Sequence, residues 1–213
     1  MKKIMFNDKY GLTKAVLEGR KTMTRRLFCL PDRAPTQIML IDGVAWVRYG
    51  EEEFIAPTKC QPRYKVGEVV AVAQSYESIY DEMSCNYTDT IDNVRPLFEY
   101  FDGPGYDNKM FVKADLMPHQ IRITNVRVER LQDISDGDVY KEGFSKEAVN
   151  NGWGNYAYHY EAMLVYYDKL GRSKEIRSRT PREAFAALID KVSGKGTWAK
   201  NPFVFVYEFE LIK

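Results

Sequence analysis

The sequence predicts an α+β fold, built on a mostly antiparallel, strongly bent sheet with helices near both ends and in the C-terminal half. About six to eight short segments have the apolar or alternating character of strands. These segments do not alternate regularly with helices, as the strands of a parallel sheet would. Aromatic residues, which favour strands, make up 14% of the chain. A small barrel is one arrangement open to such a sheet.

The predicted strands are short apolar or alternating runs bounded by turn residues. They are Lys3–Phe6, Gln37–Ile41, Val44–Tyr49, Val69–Ala73, Lys109–Ala114, Ile121–Leu131 and Phe203–Ile212. The dipeptide Asp42-Gly43 joins the second and third runs and is a strong signal for a hairpin. Within Ile121–Leu131 the alternation changes phase at Thr124-Asn125, which predicts a β-bulge that bends the strand.

Helices are predicted where a capping residue precedes apolar residues spaced three and four apart. One begins at Asn7 or Asp8 and runs to about residue 18, one runs from Ser135 to about Glu142, one covers Tyr156–Leu170, and one runs from Thr180 to Gly194. The last has a full start signal, with Thr180 as N-cap, Pro181 at the first position and Glu183 three residues after the cap. Gln74–Val94 contains no Lys or Arg and is predicted to be a solvated acidic loop, whereas Lys169–Arg182 is predicted to be a basic loop.

Composition excludes several classes of protein. The 31 basic and 30 acidic residues give a net charge of +1, so any nucleic-acid site must be a local one. The chain has no apolar window long enough to span a membrane, and its N-terminus turns polar too early for a signal peptide. Three widely spaced cysteines and two histidines argue against a zinc site and against a disulfide framework. We therefore expect a cytoplasmic protein that needs neither metal nor cofactor.

The segment Gly19–Arg26 (GRKTMTRR) has the highest density of chemically useful side chains. It places four cations and two hydroxyl groups at the predicted junction of a helix and a strand. Arginine and lysine suit anionic or carbonyl-bearing ligands, and threonine donates, accepts or attacks. Spacing alone leaves two interpretations open, a solvated basic turn and a site for an anion or nucleotide.

The same segment resembles the G-[RK]-K-T-x-T-x-R signature of the ASCH domain family. Further segments resemble the family's other motifs in the same order along the chain. They are Val66–Val72 (VGEVVAV), Val126–Ser135 (VRVERLQDIS) with Lys141–Gly143 (KEG), and Asn201–Phe209 (NPFVFVYEF). The resemblance implies a PUA-like fold, a bent β-barrel with flanking helices. It implies a single domain over 1–213 with insertions at about 27–62, 77–110 and 144–180.

The resemblance also implies a cleft that binds RNA or a modified nucleoside or nucleotide. Smaller members of the family are amidohydrolases that remove acetate from N4-acetylcytidine. Their catalytic lysine, threonine and glutamate match Lys21, Thr24 and Glu142 here. Thr24 would attack the acetyl carbonyl, a neutral Lys21 would take its proton, and Glu142 would serve as acid, base or orienting group. In a straight strand Lys21 and Thr24 would face opposite sides, so the motif must turn at Lys21.

Other residues are expected to contact the ligand. They are Arg20, Thr22, Arg25, Arg26, Gln74, Ser75 and Tyr76, the last of which could stack on a base. In family members of this length the corresponding stretch usually reads W-V-R-E-[TS]-[WF], whereas here it is Ala71–Tyr76 (AVAQSY). This difference predicts either a different ligand or a lost activity.

Three functions remain open at this stage. The first is a module that binds RNA or a nucleotide without chemistry, and the second is an amidohydrolase. The third is an accessory factor that binds a host protein, since longer family members resemble proteins of phages and prophages.

Overall fold

The computed structural model describes residues 1–28, 35–57, 60–85, 103–149, 158–168 and 170–212. The strands are β1 (Lys2–Ile4), β2 (Met23–Leu27), β3 (Gln37–Ile41), β4 (Val44–Arg48), β5 (Val69–Val72), β6 (Gln120–Arg130), β7 (Ser145–Val149), β8 (Tyr158–Tyr167), β9 (Ser173–Ser178) and β10 (Phe203–Ile212). The α-helices are α1 (Leu12–Leu17), α2 (Tyr76–Cys85), α3 (Asp136–Lys141), α4 (Pro181–Ser193) and α5 (Thr197–Lys200). None of the helices in these ranges is long and apolar enough to cross a membrane.

The main sheet has five strands in the order β1-β5-β6-β10-β2. All neighbouring pairs are antiparallel except β1 and β5. The strands β3 and β4 form a separate hairpin, and β7, β8 and β9 form a three-stranded sheet. The mixed α/β class is therefore confirmed. The described strands form three open sheets, and no closed barrel is found among them.

Several local predictions are confirmed. The hairpin turns at Asp42-Gly43, with β3 and β4 paired on either side. On the two sides of the predicted bulge, Asn125 pairs with Glu208 and Ile123 pairs with Phe209, so Thr124 is the extra residue in β6. The predicted caps are also present, since Ser135 accepts from the N–H of Asp138 and Thr180 accepts from the N–H of Glu183.

Four predictions about local structure were wrong. The predicted helix Tyr156–Leu170 contains strand β8, and the predicted basic loop Lys169–Arg182 contains strand β9, with residues 156–157 and 169 outside the described ones. The predicted acidic loop Gln74–Val94 begins with helix α2, and its residues 86–94 lie outside the described part. The predicted strand Lys109–Ala114 is a loop that ends in a 3-10 helix.

The N-terminal helix also differs from its prediction. Asn7 caps a 3-10 helix over Asp8–Tyr10, and Gly11, in the left-handed conformation, separates it from α1. A continuous α-helix across Gly11 is not formed because this residue takes φ +64°.

The arrangement of β2, α3 and α4 positions the candidate site. Strand β2 lies at the edge of the main sheet, next to β10. Helix α4 buries Ala184, Phe185 and Leu188 in the main core, together with side chains from the main sheet and from β8 and β9. An edge strand has one side free of a neighbouring strand, so side chains of β2 can meet those of the helices beside it.

Candidate functional site

A cleft of about 400 Å³ lies between the edge strand β2 and helix α4, and we call it the Lys21 cleft. Its polar lining includes Lys21, Thr24, Arg25, Arg26 and Glu142, and its apolar lining includes Phe6, Leu12, Leu27, Phe185, Leu188, Ile189 and Val192. The three residues that match the catalytic residues of the ASCH amidohydrolases therefore line one cavity. Clefts with mainly apolar walls and a few polar groups are typical of ligand sites.

The backbone turns at Lys21, as the proposed chemistry requires. The N–H of Lys21 donates to the carbonyl of Ala15 in α1 at 2.9 Å. The N–H of Thr22 donates to the carbonyl of Lys141 in α3, also at 2.9 Å, and β2 begins only at Met23. The backbone of Lys21 and Thr22 is thus held by two helices just before the strand, and the side chains of Lys21 and Thr24 line the same cleft.

Gly143 permits the close approach of the two motifs. It takes φ +106°, a conformation that L residues rarely adopt. A Cβ on this residue would lie 3.4 Å from the Cβ of Ala15 and 3.5 Å from that of Lys21. Because Gly143 has no side chain, the segment after α3 packs directly against Lys21.

Lys21 and Glu142 form a buried ion pair. Their side chains are 2% and 6% exposed. The ammonium group of Lys21 donates to Oε2 of Glu142 and, at 3.0 Å, to the backbone carbonyl of the same residue. The pKa of Lys21 lies below its ordinary value of 10.5, because burial outweighs the attraction of Glu142 and because Arg26 and Arg25 add like charges.

Arg25 holds the other oxygen of Glu142. Its Nη1 donates to Oε1 of Glu142 at 3.0 Å, and its Nε and Nη2 donate to Glu129 at 3.0 and 2.7 Å. Its Nη2 also donates to Asp138 at 3.0 Å. Burial opposes the charge of Arg25, but Glu142 and Glu129 outweigh it and raise the pKa of this guanidinium above its ordinary value. Glu142 therefore keeps a permanent cationic partner whether or not Lys21 carries a proton.

The ion-pair network continues beyond Arg25. Arg127 donates to Glu129 at 3.0 Å, to Asp138 at 2.7 Å and also to Glu208. Glu129 and Asp138 are thus each held between two guanidinium groups. Such a doubly bridged network fixes the position of Arg25 and, through it, the carboxylate of Glu142.

Thr24 lines the Lys21 cleft from the edge strand. It lies in β2 opposite Tyr207 of β10 and is buried. Its hydroxyl makes no hydrogen bond to any of the residues that the structure describes. The hydroxyl is therefore available to a ligand in the cleft.

The other residues that were expected to contact the ligand do not all line the Lys21 cleft. Arg25 and Arg26 line the Lys21 cleft. Arg20, Gln74 and Ser75 line a separate cavity of about 640 Å³, and Arg20 is exposed and paired with Glu18. Thr22 is half-buried and lines neither cavity.

Tyr76 lies in the core and not in the cleft. It is 2% exposed, and its hydroxyl accepts from the N–H of Lys113 at 2.8 Å. Its neighbours in a small second core include Ile79, Val112 and Met117. The structure therefore does not bring the ring of Tyr76 to a ligand in the Lys21 cleft.

Sequence reasoning missed several residues of the cleft. Glu129 and Asp138, which support the cleft through Arg25, were missed as well, although Glu129 lies in a segment that carries the ASCH resemblance and Asp138 lies three residues after the predicted cap Ser135. The apolar wall from α4 was predicted as a helical face, but its second role as a cleft wall depends on how α4 packs and has no local signal. In the described ranges, no cluster of three His, Cys, Asp or Glu could hold a metal ion.

Comparisons with family models, with curated proteins and with solved structures find no match to this chain. The resemblance to the ASCH family therefore rests on the four motifs quoted above and on their order.

Proposed function

We propose that this protein is an ASCH-like amidohydrolase that removes an acyl group from the exocyclic amine of a nucleoside or nucleotide. The observation that carries the proposal is the meeting of Lys21, Thr24 and Glu142 in one cleft. These are the three positions that match the catalytic residues of N4-acetylcytidine amidohydrolases. Lys21 and Thr24 belong to one motif, whereas Glu142 lies more than 100 residues later, and the buried pair of Lys21 and Glu142 joins the two parts of the chain.

The hydrogen bonds of Lys21 suit a general base. A neutral amine has two N–H donors and one lone pair. Nζ of Lys21 donates one hydrogen bond to the carboxylate of Glu142 and one to its backbone carbonyl. When Lys21 is neutral, its lone pair therefore has no hydrogen to hold and is available to accept the proton of Thr24. Glu142 stays paired with Arg25 at 3.0 Å when Lys21 is neutral, so deprotonation of Lys21 does not leave a buried unpaired carboxylate.

The reaction follows from these positions. The Oγ1 of Thr24 attacks the acyl carbonyl carbon while its proton passes to Nζ of Lys21, which forms a tetrahedral oxyanion. The C–N bond then breaks, and the leaving amine takes the proton from Lys21. Water next attacks the threonine ester, giving a proton to Lys21, which returns it to Thr24 as the acid is released. Glu142 orients Lys21, and Arg26 is the cation available to the oxyanion.

Hydrolysis of N4-acetylcytidine by the purified protein, followed by chromatography, tests the proposal. We expect Lys21→Ala and Thr24→Ala each to lower kcat by about 100- to 10,000-fold. Lys14→Ala and Thr124→Ala, at exposed positions outside the cleft, should retain activity. Wild-type turnover by Thr24→Ala, or no turnover of either N4-acetylcytidine or its 5′-monophosphate by the wild-type chain, would contradict the proposed reaction.

A binding module without chemistry is the second candidate. The observation in its favour is that Lys21 is already paired with a carboxylate, an arrangement in which a permanently charged lysine would only bind. Calorimetric titration with cytidine separates the two candidates. A protein that binds cytidine but hydrolyses no acyl derivative is a binding module.

A further inference from the structure

A second, smaller cavity lies beside the Lys21 cleft and shares Arg26 and Leu27 with it. We call it the Arg63 pocket. It has a volume of about 270 Å³, and its charged lining consists of Lys3, Arg26 and Arg63. Its lining contains no acidic residue. The pocket is therefore a concave site with three positive charges next to the proposed reaction centre.

These three cations have no carboxylate partner among the residues that the structure describes. The ammonium group of Lys3 donates to the carbonyls of Met110 and Val112, both at 2.6 Å. Arg26 donates to the carbonyl of Met5. The guanidinium of Arg63 lies 5.7 Å from the ring centre of Tyr64.

Grouping these charges is unfavourable in the absence of an anion. Burial and the charge of Arg63 both lower the pKa of Lys3. Like charges around one cavity repel each other, and an anion placed between them removes this repulsion. The contrast with Arg25, which faces three carboxylates, shows that the chain does pair its cations elsewhere.

Two tyrosines fix the positions of the backbone that carries the cations. The hydroxyl of Tyr64 donates to the carbonyl of Lys3 at 2.9 Å, and the N–H of Arg63 donates to the hydroxyl of Tyr207 at 2.9 Å. The two rings pack edge to face with their centres 5.3 Å apart. The aromatic residues Tyr64, Phe205 and Tyr207 belong to the lining of the pocket, together with apolar Met5 and Leu27. The backbone around the pocket is therefore held in place before a ligand binds, which lowers the entropic cost of binding.

We propose that the Arg63 pocket binds the phosphate of the substrate, so that the substrate of the Lys21 cleft is a nucleotide. This inference rests on the proposed function, because it places the acylated base in the Lys21 cleft, with Arg26 at the oxyanion, and the phosphate on Lys3 and Arg63. Arginine is well suited to phosphate because its planar group donates two parallel hydrogen bonds. The pocket is smaller than the roughly 300–1,000 Å³ typical of sites that enclose a whole ligand, so it suits one part of a larger molecule.

Binding of cytidine 5′-monophosphate and of cytidine, measured by calorimetry, tests the pocket without any need for catalysis. We expect the monophosphate to bind about tenfold more tightly or better. Arg63→Gln should remove most of this difference and Arg63→Glu should reverse it. The matched variants Lys65→Gln and Lys65→Glu change the same charge two residues away, outside the pocket, and should keep the difference. A cytidine-containing trinucleotide distinguishes a backbone phosphate from a terminal one, and tighter binding of either phosphate probe supports the site.

Hydrolysis provides the second readout. The ratio of kcat/KM for N4-acetylcytidine 5′-monophosphate to that for N4-acetylcytidine should fall about tenfold in Arg63→Gln and stay constant in Lys65→Gln. Equal binding of cytidine and both phosphate probes, or no effect of Arg63→Gln, would overturn the inference even if hydrolysis is observed. Phosphate-dependent binding that is lost in Arg63→Gln, without any hydrolysis, would retain the pocket and reject the amidohydrolase.

Discussion

Lys21 contacts Glu142 twice, through its carboxylate and, at 3.0 Å, through its backbone carbonyl. The second contact depends on the chain path after α3 and not on the side chain of Glu142. A substitution at Glu142 therefore removes one hydrogen bond of Lys21 and leaves the other. This double contact links the GRKTMTRR motif to the end of α3, and both residues line the Lys21 cleft.

We first predict that the stability contributed at Lys21 depends on pH. Burial lowers the pKa of this lysine below 10.5 in the folded chain, so the folded state loses the proton at lower pH than the unfolded state does. Below the folded-state pKa the full cost of burying the charge is present. As the pH rises from that value toward 10.5, this cost is lifted and the free energy of unfolding increases.

Urea unfolding of the wild type and of Lys21→Met between pH 7 and pH 10.5 measures this effect. The wild type should gain stability relative to the variant as the pH rises, because only the wild type carries the titrating amine. Parallel curves for the two proteins would mean that Lys21 keeps its ordinary pKa. The pH profile of hydrolysis should rise over the same range, since the base must be neutral.

A second prediction concerns Arg25, whose substitution should be much more costly than that of a surface arginine. Arg25→Met leaves Glu129, Asp138 and Glu142 without the cation that all three contact. Breaking a buried pair by removing one partner typically costs about 3–5 kcal/mol. We expect a loss of this size in the free energy of unfolding, measured by urea denaturation at pH 7.

Arg122→Met is the control for this substitution. Arg122 also pairs with a glutamate, Glu210, but both side chains are about half exposed. Exposed ion pairs contribute about 0–1 kcal/mol, so the control should change stability by no more than that. Similar losses in the two variants would show that the network around Arg25 adds nothing beyond an ordinary surface pair.

A third prediction compares two neighbouring residues at the start of α3. Ser135 accepts from the N–H of Asp138 at 3.1 Å, and Ser135→Ala should lower the free energy of unfolding by about 1 kcal/mol through loss of this cap. Gly137→Ala, within the same helix, should raise it by up to about 1 kcal/mol. The added Cβ would meet only the Ser135 hydroxyl at 3.8 Å, which is an ordinary contact. Thermal and urea unfolding should agree on these opposite signs, and a loss of stability in both variants would contradict the prediction.

The elements predicted correctly are those with local chemical signals. Thr180, Pro181 and Glu183 specify the start of α4, and the Asp42-Gly43 turn specifies the hairpin, within a few consecutive residues. The phase change at Thr124 specified the bulge in β6 for the same reason. These signals act through backbone hydrogen bonds and turn conformations, which do not depend on distant parts of the chain.

The elements predicted wrongly are those whose pattern is set by tertiary surroundings. In β8 the consecutive residues Ala162, Met163 and Leu164 are all buried, so the alternation expected of a strand is absent. In β9 only Ile176 is buried, and the strand exists because it pairs with β8 along its length. In α2 the loop was predicted from the acidic residues. Tyr76, Ile79 and Tyr80 have the spacing of one helical face, which indicates a helix instead.

The candidate site shows the same division. The GRKTMTRR motif and Glu142 were identified from the sequence, whereas Lys3 and Arg63 were not. The latter two residues are 60 positions apart, and they meet because β1 pairs with β5 and because Tyr64 and Tyr207 pack together. A charge cluster that is assembled by sheet pairing has no short-range signal in the sequence.

The last prediction concerns the packing of Gly105 on Tyr76. Gly105 takes φ +104°, and a Cβ built on it would lie 2.8 Å from Cε2 of Tyr76 and 3.3 Å from the backbone carbon of Phe111. Tyr76 cannot move away easily, because its ring is buried and its hydroxyl holds the N–H of Lys113. We therefore expect Gly105→Ala to combine backbone strain with overpacking and to cost about 2–4 kcal/mol in urea unfolding.

Gly67→Ala separates the two contributions to this cost. Gly67 also has a positive φ, of +81°, but nothing lies within 4 Å of its Cβ position. This variant should lose only the strain of about 1–2 kcal/mol. The difference between the two variants then measures the steric cost at Tyr76, and it should shrink in the background Tyr76→Leu, where the ring atoms that meet the new methyl group are absent. An equal loss for Gly105→Ala and Gly67→Ala in the wild-type background would show that Gly105 is required for its backbone conformation alone and not for its contact with Tyr76.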